Sequence, residues 1–178
     1  MITPDWSPFS VAPREVRSDA PRSIDSPEGI ADRLRAAAFA EIQAREAFNW
    51  AAERYDDAPA ACRSAWRGLA LAEERHLNWL LARMRELGID VGARRVSDQL
   101  WVSLHSCKTA REFAHYMANA EERGRRAGER FHQAMAASDP VTADIFGRIA
   151  AEEIEHIRLA ERYFPRESAT SEASSPAR

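Results

Sequence analysis

An all-α chain, folded as a four-helix bundle with one long crossover between its second and third helices, is what this sequence predicts. Three observations carry that prediction. Four long stretches repeat apolar residues every three or four positions, the period of one helix face. No stretch alternates apolar and polar residues as a half-buried strand does. Two short connections flank a long one, so two helical hairpins are joined across the body. The 178 residues suit one domain with a substantial core.

The first long helix opens at Ser26-Pro27-Glu28: a capping serine, a proline at the first helical position and an acid in the first turn. Its face is Ile30, Leu34, Ala37, Ala44, Phe48 and Tyr55. The second starts near Asp57-Ala58-Pro59 and runs to Gly88, a helix-ending glycine, with Trp66, Leu69, Leu77, Leu80, Met84 and Leu87 as its face. The crossover GIDVGARRVSDQLWVSLHSCK holds one short helix around Gln99 to Leu104. Thr109 and Glu112 form a capping box that opens the third helix, which carries Met117, Ala118, Phe131 and Met135. Asp139-Pro140 opens the fourth, with Ile145, Ile149, Ile157, Ala160 and Tyr163, and Pro165 closes it.

The helical body is therefore expected over 26–164. Residues 1–25 contain Pro4, Pro8, Pro13 and Pro21, show no periodicity, and read as an extended arm. Trp6, Phe9 and Val11 are the arm's docking residues. Residues 165–178, which end in SATSEASSPAR, read by composition as a disordered tail.

A net charge of −3 offers no electrostatic reason for a nucleic-acid or membrane partner. Cys62 and Cys107 make neither a disulfide framework nor a CxxC site. The start, MITPDWSPFSVAPREV, lacks the charged and apolar segments of a signal peptide, and no apolar run is long enough for a membrane span. The expectation is a soluble cytoplasmic protein.

Each helix face carries a polar interruption. These are Glu41 in the first helix, Glu73 with His76 in the second, Glu121 in the third, and Glu153 with His156 in the fourth. Residues three apart share a helix face, so each Glu-x-x-His aims a carboxylate and an imidazole at one spot. Glu41 precedes Glu73 by 32 residues, and Glu121 precedes Glu153 by 32. An offset of 80 maps Glu41, Glu73 and His76 onto Glu121, Glu153 and His156, and also aligns Leu69 with Ile149, Leu77 with Ile157 and Trp66 with Phe146. This is an internal repeat of a helical hairpin.

Glu-x-x-His alone is weak, because Glu112/His115 and Glu129/His132 also show it and a Glu-rich helical chain supplies such pairs by chance. Only the second- and fourth-helix copies have an upstream Glu partner and map onto each other. The bland alternative is a set of solvated helix faces. Against it, four carboxylates turned into one core repel and lose hydration, at roughly several kcal/mol each. Two metal ions neutralise them. Four Glu and two His are the donor set of di-iron and di-manganese bundles. The predicted ligands are Glu41, Glu73, His76, Glu121, Glu153 and His156.

The segments SPEGIADRL, EIQAREAF, AEERHLNWLLARMRELGIDVG, AEERG and EEIEHI resemble a bacterial ferritin-like family whose members read SPEGRA, HxELQAxE, EExRHFxLLxxRLxELG, LEARG and DExxHV. That family is distantly similar to the di-iron hydroxylases of tRNA that modify an adenosine derivative beside the anticodon. The resemblance covers roughly 26–164 and implies a ferritin-like fold and the same six ligands. By analogy, Glu73 and Glu153 bridge, while Glu41 and Glu121 are terminal. Glu46, Glu74, Glu122 and Glu152 are candidates to orient the histidines, although Glu152 and Glu155 also read as solvent-face residues.

There are departures. Phe39 stands where the family has a histidine, and so does Ser97, since VSDQLW replaces VHDGLW. Arg45 and Arg125 follow Glu41 and Glu121 by four residues, and either turn outward or pair with the ligand carboxylates. The implied cofactor is two iron ions, with manganese as the alternative. The implied activity is an oxidoreductase that activates dioxygen on an unidentified substrate with an external electron donor. The alternatives are a ferroxidase or iron-handling protein, and a divergent non-metallic helical interaction module. A homodimer is compatible with either. Tyr55, Tyr116 and Trp79 read as core aromatics, and His105, His115 and His132 carry no assigned role.

Overall fold

A computed structural model describes residues 4–13, 16 and 20–166. Its helices are α1 (Pro27–Arg54), α2 (Ala60–Glu86), α3 (Gln99–Leu104), α4 (Ala110–Met135) and α5 (Pro140–Tyr163), with a 3-10 turn at Val91–Ala93. Among the described residues there is no strand, only the single bridge between Val11 and Val96. Most of the predicted tail, and the arm's residues 1–3, 14, 15 and 17–19, lie outside the described residues.

Local chemistry sets the helix ends. Ser26 Oγ accepts from the Gly29 N–H at 3.0 Å and starts α1. A Cβ on Gly29 would stand 1.6 Å from the Ser23 carbonyl oxygen, so the turn into α1 admits only glycine there. At the end of α2, Gly88 has φ +65°, the left-handed region that glycine enters without penalty. The Ile89 N–H then reaches the Met84 carbonyl at 2.8 Å, and the Gly88 N–H reaches that of Arg85 at 3.1 Å, satisfying carbonyls the helix leaves unpaired.

Two helix starts hold bonds that the sequence pattern does not show. Asp57 lies near the start of α2, which begins at Ala60 after Pro59 with no side-chain cap. Its carboxylate instead accepts from the Ala110 N–H at 3.0 Å, fixing the start of α4. Glu112 closes its box on the Lys108 N–H at 2.6 Å, one residue before the expected Thr109. Leu87, predicted on the buried face, is 41% exposed because it lies past the last turn of α2.

α1 packs along α2, and α4 along α5, as two antiparallel hairpins. The hairpins meet through α2 against α5 and α1 against α4, and α3 in the crossover rests on α1 and α4. Arg83 near the end of α2 donates to Asp139 at 2.8 Å, and Asp139 also accepts from the Thr142 N–H at 3.1 Å. One acid thus caps α5 and ties it to α2. An aromatic cluster fills the end of the body near the α1–α2 turn, with Trp66 edge-on to Phe113 at 5.2 Å between ring centres. Such a pair adds about 0.5–1.5 kcal/mol beyond its buried area.

The arm docks on this body. Trp6 and Phe9 are buried, with rings 5.5 and 5.1 Å from that of Phe39. Phe39, where the resembled family has a histidine, is the seat of the arm. Arg22 donates to the buried Asp32 at 2.9 and 2.8 Å. Arg94 from the crossover joins the same carboxylate, and Arg35 donates to the Asp90 and Val91 carbonyls at 2.8 and 3.0 Å. The arm and crossover are therefore pinned to α1. No helix among the described residues is long and apolar enough to cross a membrane.

Candidate metal centre

The interruptions predicted on four helices meet at one level of the bundle. Glu73 and His76 are fully buried, and Glu153 and His156 nearly so. The His156 Nδ1 lies 2.8 Å from Glu73 Oε1 and 3.1 Å from Glu153 Oε2. The His76 Nδ1 lies 3.3 Å from Glu153 Oε1, 3.5 Å from Glu73 Oε2 and 3.6 Å from Glu41 Oε2. Glu73 and Glu153 therefore each offer one oxygen to each imidazole. The two rings lie nearly parallel, with centres 5.7 Å apart. One donor atom from each of Glu41, Glu73, His76 and Glu153 falls within 4.8 Å of all the others. Glu121 stands beside Glu153, which with Glu73 and Glu41 acts on its carboxyl.

Charge explains the arrangement. Burial raises the carboxyls of Glu41 and Glu121 well above the usual range, and their like-charged neighbours add to the rise. Burial alone would also raise Glu73 and Glu153, but the adjacent imidazoles of His156 and His76 outweigh it and hold both below that range. Burial lowers His76 and His156, and the carboxylates overcome it, pushing them up to about 12 and about 10. Without metal the surroundings therefore favour imidazolium against carboxylate, and favour a proton on each of the outer acids.

Outside the cluster, the His76 Nε2–H donates to Glu152 on α5 at 3.0 Å, and Glu152 also receives Arg75. The solvent-face reading of Glu152 is thereby corrected: its backbone sits at the edge of α5, but its carboxylate crosses to the neighbouring helix. Glu155 does face solvent and pairs with Arg158. The repeat is broken at this point, because the position equivalent to Glu152 in the first hairpin is Ala72. Trp79 lies against His76, with ring centres 5.5 Å apart, and Arg148 covers its outer face at 4.2 Å. Trp79 is thus a wall of the site as well as a packing residue.

The two arginines of the repeat turn to neighbouring acids. Arg45 binds Glu46 and Glu74, and Arg125 binds Glu122 and Glu129. Three of the predicted histidine-orienting acids, Glu46, Glu74 and Glu122, are engaged with arginine in this way.

Both Glu73 oxygens, Glu153 Oε2 and both Nδ1 atoms are buried and face one another rather than any further hydrogen-bond donor or acceptor. Buried charges are kept only where something of opposite charge meets them. Cations placed among them would satisfy all five. An oxygen and imidazole set without sulfur fits iron or manganese. The fold and the cluster define an all-helical protein with a buried carboxylate–imidazole centre. The chain belongs to the family described as "Protein of unknown function (DUF455)", whose profile matches residues 4–177. No curated protein and no solved structure matches it significantly.

Proposed function

We propose that this protein is a ferritin-like dinuclear metal protein, with two iron ions as its cofactor, and that it activates dioxygen to oxidise a substrate. The observation that supports this best is the pair Glu73 and Glu153. Each is buried, and each faces both imidazoles with one oxygen apiece. In this reading Glu73, Glu153, His76 and His156 would hold the metals, the imidazoles through Nδ1, and Glu41 and Glu121 would complete the set. Two divalent ions balance four carboxylates, which removes the reason for the outer acids to stay protonated. The bound irons would supply the electrons that reduce dioxygen.

The chain's own residues do the rest. Glu152 holds the His76 ring with Nδ1 inward. Trp79 and Arg148 close one side against water. Glu41 and Glu121 stand where the centre meets a groove between α1 and α4, so their carboxyls can hold or release a proton at that boundary.

The test is anaerobic loading with Fe(II) followed by air. The expected result is two irons per chain, oxygen consumed in proportion to iron, and a new near-ultraviolet absorption. Loss of both signals in Glu73→Ala with Glu153→Ala is expected as well. A wild-type chain that takes up no oxygen when iron-loaded refutes the activity.

A further inference from the structure

The groove between α1 and α4 has a volume of about 380 Å³ and is walled mainly by alanine from α1 and by alanine and glycine from α4, with α5 as its floor. Its inner part reaches Glu41, Glu121 and Glu153, and its outer part reaches Arg33 and Phe131. We propose that it binds an elongated, uncharged aliphatic chain of about a dozen heavy atoms, with the chain's end against the carboxylate–imidazole centre. This rests on the dioxygen-activating reading and gives its substrate a chemical class.

Four observations carry the inference. First, size: a buried apolar cavity of about 150 Å³ holds benzene, so this groove has room for about 15 heavy atoms. Helix rise places Arg33 about 12 Å from Glu41 along α1, which makes the space long rather than round.

Second, the repeat fails here in a directed way. Phe48 fills the core in the first hairpin, and its equivalent in the second is Gly128. A Cβ on Gly128 would stand 3.4 Å from the Phe146 carbonyl oxygen, so α4 approaches α5 closely here and no side chain from this position enters the groove it lines.

Third, Gly124 lies exposed on the wall of the groove. A Cβ there would meet nothing within 4 Å, and its φ is not in the left-handed region. A larger side chain at this position would therefore enter the groove without a clash.

Fourth, the groove wall includes Glu153, whose side chain is 4% exposed and whose Oε1 lies 3.3 Å from the His76 Nδ1. The space therefore opens onto the reactive centre rather than onto inert core. Alanine walls offer no hydrogen bonds to a polar chain and no partner to a charged one.

The experiment titrates 1-decanol, below its solubility limit, into the full-length protein by calorimetry. It is done once metal-free and once with Zn(II), beside Gly124→Leu and Ala40→Leu on the opposite wall. The expected result is one saturable site per chain in the wild type and an affinity at least tenfold lower in both variants. Gly124→Leu should keep an unchanged or raised Tm and unchanged Zn(II) content. Absence of saturable binding overturns the proposal, as does equal affinity in Gly124→Leu. So does a wild-type dimer in sedimentation that Gly124→Leu dissociates, since the groove would then be covered by a second copy. Binding of decanol by a chain that takes up no metal would keep the groove and sink the dioxygen reading. Metal uptake and oxygen consumption without decanol binding would do the reverse.

Discussion

Replacing Glu152 with alanine takes away the acceptor of the His76 Nε2–H and leaves the other five predicted ligands and His76 itself in place. The carboxylate fixes which ring nitrogen faces inward and makes that nitrogen a better donor. Removing such a partner costs about 10- to 100-fold in metal affinity, or about 1.4–2.7 kcal/mol. The lower end is expected here, because the Glu152 side chain is 37% exposed and water can take its place. The loss should also be confined to one metal position, since the first hairpin has Ala72 at the equivalent place and His156 has no such carboxylate from α2. Anaerobic titration with Co(II) or Fe(II) against a competing chelator reads both affinities. Wild type and Glu152→Ala should share one affinity and differ in the other, and Glu152→Gln, which keeps an acceptor oxygen, should recover most of the loss. Equal weakening of both positions, or none, would refute the assignment of Glu152 to His76 alone.

Further expectations follow from the same charges and caps. Metal binding near pH 7 should release at least two protons per chain, from His76 and His156, which are otherwise pushed up to about 12 and about 10. Calorimetry in buffers of different ionisation enthalpy measures that number, and a value near zero contradicts it. His76, His156, Glu41 and Glu121 all bind protons more tightly folded than unfolded. Their contribution to stability is complete below the unfolded pKa and is lost as pH rises through the folded one. Chelator-treated protein should therefore lose Tm between about pH 6.5 and pH 10, while the gain in Tm on adding metal should grow over that interval. A metal-free Tm that rises across it is the opposite result. Gly88→Ala should lower stability by about 1–2 kcal/mol, because alanine is strained at a positive φ. For a chain of this length that is a Tm fall of about 2–8 °C, and an unchanged Tm would show that the turn can rearrange.

Much of this molecule could be read before folding because its signals are local. Ser26, Gly88, Thr109 and Asp139 mark helix ends through bonds to residues within five positions. The Glu/His cluster was legible for a different reason: the hairpin repeats, so a spacing of 32 and an offset of 80 bring six side chains to one level. What stayed hidden depends on neighbours far along the chain. Glu152 looks like any outward acid of α5 until α2 is packed beside it and His76 turns its Nε2 outward, 76 positions away. Asp57 stands in the short turn before α2, yet its partner is the Ala110 N–H on the far side of the crossover. The partners of Arg45 and Arg125 were open between two readings, and packing decides for the acids nearby. Alanine and glycine on α1 and α4 read as unremarkable helix formers and spacers. Only the separation of the two hairpins turns them into the walls of a groove.

The central question is whether Glu41, Glu73, His76, Glu121, Glu153 and His156 form a metal centre or a self-neutralised cluster of imidazolium and carboxylate. Equilibrium dialysis of chelator-stripped protein against micromolar Fe(II) without oxygen, followed by metal analysis, separates the two. Two irons per chain in the wild type, falling to none in Glu73→Ala with Glu153→Ala, is the predicted result. A stably folded wild-type chain that retains no iron would contradict it and leave the cluster as an internal ion-pair network.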